Sequence, residues 1–429
     1  MIWQAMSSWS PFLHIFLITL FFDNIEKTVC KESNLSNTTN LSSSRLTQLE
    51  ICKIIFESFN IDTSTYVDQE CSWTGITCTE IDSESSSRAL IIRSIDLSSR
   101  NLVGTIPTEM ALLSNLQRLM LGHNPYLGGT IPTEIGSMIQ LEYLSLKSSG
   151  FRGPFPTEFG TMQKLKHIEL THNRFSGSIP TQIGNAINLN YVEIQNNLLT
   201  GSIPSILGKI PLRHLALKNN QLNGTIPTEL GNNPLRYLSL KNNMLTGSIP
   251  TELGKAVGMI GLQLGSNLLT GTIPTELGLL DTINELDLEN NALTGFIPTE
   301  LGKLSKAHYI ALSKNTLEGT IPSQFGLLTN KLETLALHAN HLTGIIPKEL
   351  ASMNKIMTLS LYQNNLSGNI NFLCHIPDLR YDSEKFERNE ILFRCCWFYY
   401  NRDMIVYGVI WFGFRPFISW EVYHTRDDN

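Results

Sequence analysis

Apolar and polar positions along most of this chain repeat with a period of 23 to 25 residues. The stretch Leu235 to Pro250, LRYLSLKNNMLTGSIP, shows the unit. Leu235, Leu238 and Leu240 stand at spacings of three and two; Asn243, apolar Leu245, Gly247 and Ile249-Pro250 follow. The same order recurs at 165–180, 189–204 and 283–298, and the closing prolines fall at 107, 132, 156, 180, 204, 227, 250, 274, 298, 322 and 347. The L-x-x-L-x-L segment alternates as a short strand does, which puts Leu238 and Leu240 on one side. A single coil cannot bury that side; stacked coils bury it continuously. Twelve such units predict a parallel sheet with strands ~4.8 Å apart.

The polar positions carry the turns. Asn stands after the strand in ten units, at 124, 173, 197, 220, 243, 267, 291, 315, 340 and 364. Its amide can satisfy backbone groups that the turn leaves unpaired. Arg100 and Ser149 replace it in the other two units, so the ladder is expected to be weaker toward the N-terminal end. Gly247 and its equivalents suit positive φ or close approach of neighbouring coils. Glu after each Pro-Thr lies at the start of a helical turn, where an acid complements the dipole.

A fixed period of this length with this wording is the leucine-rich repeat signature, and L-x-G-x-I-P after the Asn resembles the plant-type repeat. The resemblance covers Ile92 to Asn371. It implies an α/β repeat fold: a right-handed leucine-rich repeat solenoid with a parallel sheet on the concave face, a second strand after the Asn turn, and a cap at each end. The recurring TIPTELG wording resembles the secreted repeat families of diatom-type algae.

The chain divides accordingly. Residues 1–30 read as a signal peptide or signal anchor, because Pro11 to Phe22 is an apolar run too short for a membrane span. Residues 31–44 are Ser/Asn-rich and expected to be disordered. They hold three glycosylation acceptors, Asn34, Asn37 and Asn40; two more, Asn223 and Asn365, fall in the repeats. Residues 45–91 form the N-terminal cap. Leu46, Leu49, Cys52, Phe56 and Phe59 make an amphipathic helix with Ser44 as N-cap. CSWTGITC at 71–78 resembles the C-x-W-x-G-x-x-C motif of plant-type caps, which implies a Cys71–Cys78 disulfide beside a buried Trp73. The twelve repeats occupy 92–371. Residues 372–403 resemble a cysteine-rich closing cap, kept at Cys374, Cys395 and Cys396, but with Ser383 and Phe393 where further cysteines are expected. Residues 404–429 are an apolar tail. Met404 to Phe414 is too short to span a bilayer, though Trp411 and Trp420 within 404–420, like the N-terminal segment, could touch a membrane interface. Seven cysteines leave at least one unpaired in a monomer, the expected state; Cys30 and Cys52 have no obvious partner except each other.

Composition removes several classes. A net charge of −6, with no basic run, gives nucleic acid no footprint. No phosphate-cradling loop, H-E-x-x-H or G-x-S-x-G occurs, and no kinase domain follows the repeats. The ten histidines are scattered rather than clustered for a metal. No enzyme, metal or cofactor is therefore expected.

What remains is a surface of variable side chains. The residue two after each first Leu points to the concave side. Down the units these are Ser94, Arg118, Tyr143, His167, Tyr191, His214, Tyr237, Gly261, Glu285, Tyr309, Thr334 and Thr358. Five consecutive rungs are Tyr or His, with Glu169 and Glu193 in the neighbouring column and Lys147, Lys218 and Lys241 in the next. Rings flanked by charge suit peptide, protein or glycan recognition, and Tyr143, His167, Tyr191, His214, Tyr237, Glu169 and Glu193 are the candidate ligand contacts. Such rings, with their outer faces in solvent, would add little to folding; alternatively they only cover the sheet. The Thr or Ser after each Pro forms a second column, which could suggest ice binding, but the start of a helical turn explains it without a ligand. The expected function is that of a secreted or cell-surface recognition protein, similar to receptor ectodomains without their kinase. Alternatives are a structural or adhesive wall or matrix protein, or a secreted inhibitor of a wall-degrading enzyme.

Overall fold

A computed structural model describes residues 47–61, 73–81, 89–369, 371–373 and 390–392. Chain contacts separate Met1–Thr47 from Gln48–Asn429, and the fold below is that of the second unit. The leader, the three acceptors at Asn34, Asn37 and Asn40, Cys71, most of the closing cap and the 404–429 tail lie outside the described residues.

Each repeat contributes a three-residue strand, such as Tyr191–Glu193, His214–Ala216 and Tyr237–Ser239. Its central Leu, Ile or Val is buried, because the alternation turns it off the sheet face into the interior of the coil. Twelve such strands stack in parallel, and the cap adds one more to make thirteen. Strand β1 (Ile76–Ile81) pairs antiparallel with β2 (Ala89–Asp96), which begins the repeat ladder. Register across the repeats is kept rung by rung: Tyr191 pairs with both His167 and His214. One apolar core runs from Ile51 to Leu373.

Helix α1 (Gln48–Ser58) closes the N-terminal end through Ile51, Cys52, Ile55 and Phe56. Trp73 is buried and meets Phe56 edge-on at 4.9 Å. Cys78 is a disulfide cysteine; its partner lies outside the described residues.

After each strand the Asn ties two coils together. Asn243 donates Nδ2–H to the Leu240 carbonyl of its own coil and the Leu217 carbonyl of the preceding one, both at 3.0 Å. Its Oδ1 accepts from the Leu222 amide at 3.0 Å. Where Ser149 stands in place of Asn, no side-chain carbonyl reaches the Leu127 amide. That amide turns back to the Asn124 carbonyl within its own coil. Asn124 makes the usual bond from the Leu102 amide of the preceding coil and in addition accepts from the Arg100 amide.

The plant-type second strand is present: Leu198–Ser202, Gln221–Asn223 and their equivalents form two further sheets of six and seven strands. Gly247 in this strand has φ of +75°, and a Cβ there would stand 2.9 Å from Thr225 Cγ2. Both features explain why the position is Gly. A short 3-10 turn then starts, as at Thr251–Lys255, with Pro250 as its N-cap. Thr251 is the first residue of that turn, as its place after Pro predicts. No side-chain cap bond forms in these turns, and the Thr251 hydroxyl contacts the Glu252 carboxylate instead.

Candidate binding face

The ladder register brings Tyr143, His167, Tyr191, His214 and Tyr237 into one stack. Successive ring centroids are 4.8, 3.7, 4.1 and 4.9 Å apart, and the last three pairs lie within 19° of parallel. Arg118, one rung before, lays its guanidinium over the Tyr143 ring at 4.6 Å. At the other end the next rung is Gly261, and the Tyr237 ring covers it, 2.6 Å from where a Cβ would be. Arg118 and Gly261 therefore bound the stack. Both stand in the predicted column, but their roles as cap and seat were not read from the sequence.

The neighbouring column holds the rings from beside. Glu169 is 8 % exposed and accepts from Tyr143 Oη at 2.9 Å and Ser145 Oγ at 3.0 Å. Lys147 Nζ stands 3.2 Å from its Oε2. Glu193 accepts from Tyr191 Oη at 2.6 Å. His214 Nε2 lies 3.0 Å from Glu193 Oε1, close but not aligned as a straight hydrogen bond. All seven residues singled out for ligand contact thus form one connected cluster. The expectation that each ring keeps a solvated outer face is corrected: the faces stack on one another, and ring edges reach solvent.

Electrostatics follow from this packing. Burial lowers the His167 pKa, against the pull of Glu169 and Glu193, so the imidazole between two phenols favours its neutral form. Burial and the Glu169 hydrogen bond push the Tyr143 phenol up to about 12; burial and the Glu193 hydrogen bond raise Tyr191. Burial alone would raise Glu169, but hydrogen bonds from Tyr143, Lys147 and Ser145 hold it low. Glu193 is low chiefly through His214.

Beyond Gly261 the face changes character. Glu285 accepts from Gln263 Nε2 at 2.8 Å, and Lys241 Nζ meets buried Asp287 at 2.6 Å. Lys218, in the same column as Lys147 and Lys241, is half-buried. Among the described residues no group of His, Cys, Asp or Glu is placed to hold a metal.

These coils, Asn ladder and second sheets define a leucine-rich repeat solenoid. The Leucine Rich Repeat family model matches residues 164–186, 211–233, 234–256, 282–304 and 331–353. The chain carries leucine-rich repeats, and its fold is that of the solved leucine-rich repeat receptor ectodomains it is similar to. A probable leucine-rich repeat receptor-like protein kinase of Arabidopsis thaliana is 43 % identical over 54 residues, covering 13 % of this chain and 5 % of that protein. The solved TDR receptor is 30 % identical, covers 70 % of this chain and 56 % of its own, and superposes with a TM-score of 0.62. The PEPR1–AtPEP1 structure gives 28 % identity, 80 % and 55 % coverage, and a TM-score of 0.63. The chain thus spans just over half the length of these two structures and a small part of the receptor-like kinase. Among the described residues, no helix is long and apolar enough to cross a membrane.

Proposed function

We propose that this protein is a secreted or cell-surface recognition protein that binds a peptide or protein ligand across the Tyr143–Tyr237 stack. One observation carries the reading: five rings and two carboxylates form a preorganised, partly exposed cluster on the long sheet. Rigid amphipathic rings give a ligand large contact area at little entropic cost. Arg118 at one end and Lys241–Asp287 beyond the other supply charge to fix a ligand's direction. The likeness to the PEPR1–AtPEP1 structure supports a peptide or protein as the class of ligand.

An adhesive matrix solenoid would repeat one chemistry down the column. Here the column passes from Arg through rings to Gly, Glu and Thr, which favours recognition. Export through residues 1–30, the Cys71–Cys78 disulfide, and glycosylation at Asn34, Asn37, Asn40 and Asn365 belong to the same reading; Asn223, a further acceptor, and Asn365 are both exposed. Non-reducing mass spectrometry of the native protein tests the compartment. A free thiol at Cys71, an intact Met1 and no glycan would refute it.

The full chain should be used to probe an array of secreted peptides, proteins and glycans. A captured ligand should bind the Tyr191→Ser, His214→Ser double variant at least a hundredfold more weakly, since central anchors contribute ~2 kcal/mol or more each. Unchanged affinity in a folded double variant would overturn the site, and capture of glycans alone would overturn the ligand class.

A further inference from the structure

The second sheets carry a surface that concave-face recognition does not use. Five successive coil segments, 196–205, 219–228, 242–251, 266–275 and 290–299, contain no Asp, Glu, Lys, Arg or His. The chain as a whole is 16 % charged, so the gap is a local property. The corresponding segment before it carries His172 and Arg174, and the one after it carries Lys314 and Glu318. Charge bounds the field at both ends.

Within the field, Thr200, Thr246, Thr270 and Thr294 are exposed. Thr225 and Thr272, one outward position further along their strands, are also exposed. Leu198, Met244 and Leu268 stand among them at 46, 44 and 57 % exposure. Pairing is parallel and steps by two residues per coil: Thr200 lies beside Gln221, Thr225 beside Thr246, and Thr246 beside Leu268. Outward groups therefore repeat every ~6.7 Å along a strand and every ~4.8 Å across strands. The lattice is also stiff. The Thr225 and Thr272 methyls lie against Gly247 and Gly295 of the following coils, and a β-branched side chain packed on one side keeps its rotamer.

Chemistry narrows the ligand. Hydroxyls can donate to and accept from water in fixed positions, and the interspersed methyl groups cannot compete for those bonds. Ammonium groups hold strongly bound hydration shells of their own, and the field has none to disturb a continuous water layer. A polysaccharide surface would call for exposed aromatic platforms, yet the only ring in the five segments is Phe296, in the last coil. We infer that this face binds ice, as a two-dimensional template for ordered water, independently of any ligand on the ring stack.

Single ice crystals grown in the full chain read this directly. The unmodified protein should hold crystals faceted and widen the gap between melting and growth temperatures. Thr246→Lys with Thr270→Lys should cut that gap at least tenfold at an unchanged melting temperature of the protein. If that pair disturbs folding, Met244→Lys with Leu268→Lys reads the same field. Tyr191→Ser, on the long sheet, should leave ice shaping intact. Round crystals growing as in serum albumin, or full activity in both Lys pairs, would overturn the inference. Asn223 gives a second readout: it is an exposed N-x-T acceptor inside the field, and a glycan there would cover the template. Glycopeptide mapping of native protein should find Asn223 bare, and full occupancy would contradict the proposal.

Discussion

Asn243 joins two coils with one side chain, and its removal is the sharpest residue-scale test of the ladder. Asn243→Ala would leave the buried Leu222 amide without a partner and would take one of two side-chain donors from each of the Leu217 and Leu240 carbonyls, which keep Asn220 and Asn267. Each unpaired buried group costs about 1–3 kcal/mol, so urea unfolding should show a loss of at least that size. Ser149→Asn should change little, because the Leu127 amide already has the Asn124 carbonyl and would only exchange one partner for another; a change under roughly 1 kcal/mol is expected. Gly247→Ala, with φ of +75° and Thr225 Cγ2 2.9 Å from the new methyl, should destabilise by more than about 1 kcal/mol. The Asn and Gly roles were legible in the sequence because each recurs in register with one chemistry. The Thr after Pro was rightly placed at the start of the turn, but its exact position there was not legible, since Ser and Thr favour both N-caps and other turn positions. Only the backbone shows that Pro250 takes the cap.

At the scale of the strand and its neighbours, the stack should hold the fold as well as a ligand. Stacked aromatic pairs contribute about 0.5–1.5 kcal/mol each. Replacing Tyr191 and His214 by Ser removes three such contacts and two of Glu193's partners. The melting temperature should fall by several degrees, and a drop under one degree would show the rings to be mere surface. Acid should act in the same direction. His167 has a lowered folded pKa, so the unfolded chain binds that proton more readily and stability declines as pH falls through the ordinary imidazole range. Glu169 and Glu193 are also low; their contribution, complete above the ordinary carboxylate range, is lost as pH falls further. Melting curves from pH 8 down to pH 3 should therefore show two successive declines, the first absent in His167→Gln. The column itself was legible from the 24-residue period. The way Glu169 and Glu193 turn back to bind their neighbours' rings was not, because repeat spacing places side chains without fixing their partners.

At the scale of the whole solenoid, stability is a sum of coils and nearest-neighbour contacts. Deleting residues 214–236 removes one coil and brings Tyr237 into register on Tyr191. The shortened chain should still unfold cooperatively, with the denaturant m-value lower by about one twelfth. Coil number and core positions were open to reading because a solenoid repeats its core in every unit. The caps were less so, since each occurs once and no period reports on it. The central claim is that the Arg118–Tyr237 stack is the ligand-bearing face. Carbene footprinting of the full chain with and without a captured ligand tests it most directly. The account predicts protection centred on Tyr143, His167, Tyr191, His214 and Tyr237, with Met244, Thr246 and Leu268 labelled as before. Protection confined to other surfaces, with the five rings equally labelled in both states, would contradict it.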